Sequence, residues 1–236
     1  MTTTLITGAN KGLGFETARR LVEAGHTVYL GSRDGERGAQ AAKQLGARAV
    51  RLDVTDDASV EAAARTIEAD GGMDVLVNNA GVTAEWRADN TVVGAADVTA
   101  DLMRVTFETN VIGVVGVLHA FLPLLGRSAA PVVVNVSSGL GSLATFTTPG
   151  SQAYDYPGVA YPASKTAVNM LTVQYAKAFP NMRVNAVEPG FTKTDLTGNS
   201  GGQTVEQGAE IIVRMARIGA GGPTGGYFEA EGAYPW

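Results

Sequence analysis

The chain has 236 residues, no cysteine, 18 Lys and Arg against 23 Asp and Glu, and a formal net charge of −5. Without cysteine there is no disulfide, no thiolate nucleophile and no cysteine-ligated zinc, and His26 and His119 lie too far apart in sequence to suggest a metal pair. An acidic balance argues against nucleic acid as the main partner, which calls for a basic surface. The length suits one large domain over 1–236, and short apolar runs alternating with helical stretches predict an α/β fold. Residues 2–6 run straight into a glycine loop with no basic start, and no window holds about 18 consecutive apolar residues. A cytoplasmic protein without a membrane span is therefore expected.

Residues 3–7 read as a short buried strand. It enters Gly8-Ala9-Asn10-Lys11-Gly12-Leu13-Gly14, and a helix follows from about 13 to 24, stopped by Gly25. Glycines between a first strand and a first helix let backbone amides approach a phosphate, and the helix terminus adds partial positive charge. The spacing G-x-x-x-G-x-G is neither G-x-G-x-x-G nor a Walker loop. A dinucleotide site is the expectation.

The second strand, 27–30, ends in Gly31-Ser32-Arg33-Asp34. This strand end faces the adenosine ribose in a Rossmann-type sheet. Arg33 can make bidentate bonds to a 2′-phosphate and Lys11 adds a second positive charge, so NADP is favoured over NAD. Asp34 either binds a ribose hydroxyl or caps the next helix, about 36–45. A third strand at 48–52 is followed by Asp53 and Val54. Asp53 is placed to accept from an adenine amino group, or to serve as a loop or capping acid.

After a helix at about 58–69, the fourth strand, 75–77, leads into Asn78-Asn79-Ala80-Gly81, a sharp turn that lets a cofactor pass close to the backbone. Residues 82–97 are irregular. A long helix at about 101–125 contains Asn110, a poor mid-helix residue, which predicts a kink there. The fifth strand, 131–136, ends in Ser137-Ser138-Gly139. Residues 139–158 are loop-like, and a helix from about 160 to 179 carries Tyr161 and Lys165. Four apart, these two share a helix face, and a nearby ammonium is expected to lower the phenol pKa. The sixth strand, 183–187, is followed by Glu188-Pro189-Gly190-Phe191-Thr192. A polar run at 193–204 has the composition of a mobile lid, within a substrate loop spanning 192–208. A helix at 205–218 and a strand near 226–229 complete a doubly wound, mostly parallel sheet of about seven strands flanked by helices.

Taken together, Thr7–Gly14 with its glycines, Asp53, Asn78-Asn79-Ala80-Gly81, Asn110, Val136-Ser137-Ser138, Tyr161-x-x-x-Lys165 and Pro189-Gly190 with Thr192 resemble the short-chain dehydrogenase/reductase family in its compact single-domain form. The motifs span most of the chain and follow the family's order. Arg33 and Lys11 look most like the carbonyl reductase branch. The resemblance implies hydride transfer between NADPH and a small-molecule carbonyl or alcohol. It implies Tyr161 as general acid, Lys165 lowering its pKa and holding ribose hydroxyls, and Ser138 donating to the carbonyl oxygen. Asn110 would kink the long helix and link Lys165 to solvent. The cofactor would lie against Gly8, Asn10, Lys11, Gly12, Leu13, Gly14, Arg33, Asp53, Val54, Asn79, Ala80, Gly81, Tyr161, Lys165, Pro189 and Gly190, with Thr192 on the carboxamide. Rival readings are a non-catalytic NADP-binding redox sensor and a sugar-nucleotide epimerase-like enzyme.

Substrate-side residues are expected among Trp86, Phe146, Tyr154, Tyr156 and Phe191. The spacing from Ser138 to Tyr161 is longer than in most compact members and reads as an insert over 139–160. Lying across the long central helices, it would displace a partner subunit, so a monomer is favoured, with a dimer as second choice.

Overall fold

The computed structural model describes residues 1–236 apart from Ala88, Asn90 and Gln152, so the irregular stretch 82–97 and the insert each include residues outside the described set. One sheet has the strand order β3-β2-β1-β4-β5-β6-β7-β8. The strands are β1 Thr3–Ile6, β2 Thr27–Ser32, β3 Arg48–Arg51, β4 Val75–Asn78, β5 Val132–Val136, β6 Arg183–Val187, β7 Tyr227–Glu229 and β8 Gly232–Ala233. All pair in parallel except β7 with β8, where Phe228 lies opposite Ala233. The eighth strand exceeds the seven expected, because two residues are too short to carry a pattern of their own. The sheet grows from β1 through β2 to β3 on one side and from β4 outward on the other. That reversal opens a crevice at the C-terminal ends of β1 and β4.

Central strands of a parallel sheet are covered on both faces, which is why β4 and β5 read as near-continuous apolar runs, broken only by Asn78 and Asn135, which hydrogen-bond to each other at 2.9 Å. The helices are α1 Gly12–Glu23, α2 Gly35–Leu45, α3 Asp57–Ala69, α4 Ala100–Phe107, α5 Gly113–Leu125, α7 Ala160–Ala178 and α8 Val205–Ala216, with a single turn, α6, at Leu143–Phe146. On one face Leu5, Leu76 and Val133 pack with Ile67, Leu118 and Phe121. On the other, Ile6, Val77 and Val134 pack with Leu21, Ile211 and Ile212. Local capping fixes the helix starts. Asp34 accepts from Arg37 N, Asp56 from Ala58 N and Ser59 N, and Thr204 forms a capping box with Gln207. Asp34 is therefore a helix cap.

The long helix is broken. A π-turn, Glu108–Ile112, separates α4 from α5, and Asn110 sits inside it. Against expectation, Ala100–Leu125 is apolar enough overall to cross a membrane. Val117, Leu118, Phe121, Leu124 and Leu125 are buried in the first core cluster, which makes this a core helix.

The insert forms a 3₁₀ turn at Gly139–Gly141, then α6. Gly141 O accepts from Thr166 Oγ1 and Asn169 Nδ2 of α7 at 3.0 and 3.1 Å, which ties the start of the insert beside Lys165. Val105, Ile112 and Met170, on the central helices, remain exposed.

Candidate active site

A cleft of about 1320 Å³ runs across the strand ends, from the glycine loop at one side to the insert at the other. Its walls include Gly8, Asn10, Lys11, Gly12, Leu13, Gly14, Arg33, Asp53, Val54, Asn79, Ala80, Gly81, Ser138, Tyr161, Lys165, Pro189, Gly190 and Thr192. Residues read from seven separate stretches of sequence thus line one cavity.

The glycine loop is built for close approach. Gly8 has φ +62° and a Cβ there would lie 2.9 Å from Ala80 Cα, while a Cβ on Gly14 would lie 2.5 Å from Asn79 Nδ2. Buried Thr7 accepts at Oγ1 from Asn79 N and Ala80 N, both at 3.0 Å. Asn79 Nδ2 donates to Thr7 O at 2.8 Å and Gly8 O at 3.1 Å. The Asn79 side chain therefore locks the loop. Asp53 Oδ1 accepts from Thr55 N and Thr55 Oγ1, so one carboxylate oxygen is already used in the loop.

At the far end, Lys165 is 4% exposed. Its ammonium donates to Val136 O at 2.8 Å and lies 5.5 Å from the centre of the Tyr161 ring. Burial holds Lys165 down to about 8, opposed by the Glu188 carboxylate. Burial, then the negative charge of Glu188, pushes the Tyr161 phenol well above its usual value; the Ser138 hydroxyl pulls the other way. This corrects the expectation of a lowered phenol pKa, which weighed the adjacent ammonium but not desolvation. Asn110 Oδ1 accepts from Val82 N at 2.8 Å, and its Nδ2 donates to Val82 O and Ser164 Oγ. It stands behind Gly81, outside the cleft wall, and braces the turn after β4 against α7. Thr192 is buried and donates to Gly190 O at 3.0 Å while accepting from Gln203 Nε2 at 2.9 Å.

Of the aromatics expected at the substrate side, Trp86, Tyr156 and Phe191 line the cleft. Phe146 and Tyr154 do not, and Tyr154 is exposed. The insert forms cleft wall through Thr145, Ser151, Ala153 and Tyr156. Three residues escaped the sequence reading. Tyr234 lines the cleft and is held in a T-shaped contact with Tyr227, whose hydroxyl donates to Ser138 O. Glu188 accepts from Gly139 N and Gly190 N, and burial raises it to about 7. Arg37 shares a second, shallow pocket with Asn10 and Lys11. Its position in the first turn of α2, four beyond Arg33, was a legible signal.

The lid candidate already touches the glycine loop. Lys11 Nζ pairs with Asp195 Oδ2 at 2.6 Å, and Asp195 opens the 3₁₀ turn Asp195–Thr197.

The model of the short chain dehydrogenase family matches residues 2–204. The chain is 35% identical over 232 residues to the short-chain dehydrogenase anuI of Penicillium roqueforti, covering 92% of this chain and 88% of that one. It is 32% identical over 289 residues to short-chain dehydrogenase/reductase 1 of Saponaria officinalis, covering 98% and 95%. Among solved structures, the NADPH-bound carbonyl reductase from chicken fatty liver is 27% identical, with a TM-score of 0.80 and coverage of 100% of this chain and 99% of that one. The matched motifs, the shared fold and these relatives together place the chain in the short-chain dehydrogenase/reductase family of oxidoreductases.

Proposed function

We propose that the protein is an NADPH-dependent reductase of ketones or aldehydes. The observation that carries the reading is that Ser138, Tyr161 and Lys165 line one end of a cleft whose other end is the glycine loop with Lys11 and Arg33. The residues fit a nicotinamide dinucleotide: only glycine fits at positions 8 and 14, and the N-terminus of α1 faces the cavity through Gly12 and Leu13. That cofactor supplies the hydride. Gly8, Asn10 and Gly12 to Gly14 would hold its phosphates, Arg33 with Lys11 and Arg37 a 2′-phosphate, and Asp53 with Val54 the base. Tyr161 gives its proton to the oxygen that becomes the alcohol. Burial keeps the phenol protonated, which suits a proton donor in the reductive direction. Ser138 donates a hydrogen bond to the same oxygen and orients it. Lys165 holds positive charge beside the phenol and replaces solvent there.

The substrate end is walled by Trp86, Val92, Tyr156, Phe191 and Tyr234. Such a wall favours a bulky, largely apolar carbonyl compound. A cytoplasmic location goes with this reading. The test is NADPH oxidation over a panel of ketones and aldehydes, with an alcohol panel and oxidised cofactor beside it. Turnover of none, with NADPH bound, would leave a binding protein.

We further propose that 193–204 closes as a lid, with Lys11 exchanging Asp195 for cofactor phosphate. Hydrogen exchange with and without NADPH is expected to show added protection in this segment; equal protection would count against closure. On assembly, we propose a monomer, with a dimer as the second choice. The insert lines the cleft, and Val105, Ile112 and Met170 leave apolar surface on the central helices. That surface would carry a dimer through those helices, and sedimentation at micromolar concentration separates the two.

A further inference from the structure

The helix that carries Tyr161 begins without a cap of its own. Pro157, Gly158 and Val159 precede it, and the capping position, Val159, makes no side-chain hydrogen bond. A helix start leaves several backbone N–H groups without intrahelical partners. Pro162 removes one of them because it has no N–H. The others are taken by a residue far away in sequence. Glu85, in the stretch after β4, is 0% exposed. Its Oε1 accepts from Val159 N at 2.5 Å and from Ala160 N, and its Oε2 accepts from Tyr161 N at 3.1 Å. A carboxylate at a helix N-terminus is favoured by the helix dipole, and a buried one requires partners of this kind.

The surroundings are fitted to this carboxylate. A Cβ at Gly158 would stand 2.8 Å from Glu85 Oε2 and 2.5 Å from the Tyr156 ring, so a larger residue at 158 would displace one of these side chains. Glu85 O accepts from Val93 N at 2.8 Å, and Gly94 bridges to Gly158. The next residue, Trp86, bridges to Val92, and both line the substrate end of the cleft. One side chain thus joins the wall bearing Trp86 to the first turn of the helix bearing the acid.

We propose that Glu85 is a positioning residue for Tyr161, fixing the phenol relative to the substrate wall by holding the amide of Tyr161 and the two before it. The proposal rests on Tyr161 being the proton donor. Glu85 does not line the cleft, so cofactor binding offers a readout independent of it. A small misplacement of a reacting group is enough to cost about 100-fold in rate.

Glu85→Ala and Glu85→Gln are compared with the parent for kcat, substrate KM, NADPH Kd and thermal unfolding. Glu85→Ala is expected to lower kcat by about 10- to 100-fold while NADPH Kd stays within about twofold. Glu85→Gln keeps an acceptor oxygen but sets an NH₂ group against a backbone N–H, and it is expected to fall between the two. A parental kcat in Glu85→Ala overturns the proposal, as does a loss of NADPH affinity that matches the loss of kcat. If Glu85→Ala does not fold, Glu85→Gln decides: a parental kcat reduces Glu85 to a structural support and also overturns the proposal. Tyr161→Phe is measured alongside. If it turns over normally, the tyrosine reading fails; if it is inactive while Glu85→Ala is normal, only the present proposal fails.

Discussion

Tyr161→Phe is expected to lower kcat for carbonyl reduction by about 10²- to 10⁴-fold, the range that a positioned proton donor contributes. NADPH binding should survive, because the substitution removes a proton and leaves the ring, its helix and the Lys165–Val136 hydrogen bond in place. Equilibrium binding by cofactor fluorescence and steady-state turnover measure the two effects separately. A kcat within threefold of the parent would mean that another group protonates the product. The pH profile adds a second check. Lys165 is held down to about 8 by burial, so its ammonium is present below that value and lost as pH rises through it. The phenol stays protonated over the same range, since burial raises it. kcat/KM, which reports the free enzyme, is therefore expected to fall above about pH 8 through loss of the Lys165 charge. Glu188 supports that charge, so Glu188→Gln should move the fall to lower pH.

Arg33→Asp is expected to shift the ratio of kcat/KM for NADPH over NADH by about 10- to 100-fold toward NADH. A hydrogen bond to a charged group is worth about 1.5–3 kcal/mol, and the substitution also places a carboxylate against the 2′-phosphate. Arg33 lies on the cleft wall with Lys11, while Arg37 stands beside Lys11 in the neighbouring pocket. Arg37 is paired with Asp34 at 3.2 Å, but both side chains are exposed, and such a pair gives way readily to a doubly charged phosphate. A ratio that does not move in Arg33→Asp, yet moves in Arg37→Ala, would transfer the phosphate to the first turn of α2.

Much of the scaffold was legible because it depends on local chemistry. Val75–Asn78 and Val132–Val136 were found as strands because a parallel strand covered on both faces is apolar at nearly every position; the buried exceptions, Asn78 and Asn135, hydrogen-bond to each other. Asp34, Asp56 and Thr204 are capping residue types at the heads of their helices. The kink at Asn110 was foreseen from a residue that competes for backbone bonds. Its form, a π-turn, depends on Val82 and Ser164, which other elements bring to it.

The motifs alone indicated the family, a mostly parallel sheet and the glycine-loop, Ser138, Tyr161 and Lys165 positions in the cleft, since each motif rests on a demand made by its own few residues. The strand order came only from the structure. Only the tertiary structure decided the electrostatics and the fixing of the acid. The phenol pKa followed from burial and from Glu188, not from the neighbouring lysine that the spacing made visible. Phe146 and Tyr154 turned away from the cleft, while Tyr234 turned into it. Glu85 has no motif, and its role exists because the fold buries a carboxylate against a helix start 74 to 76 positions away. Desolvation and long-range hydrogen bonds depend on which segments meet, and no local pattern encodes that meeting.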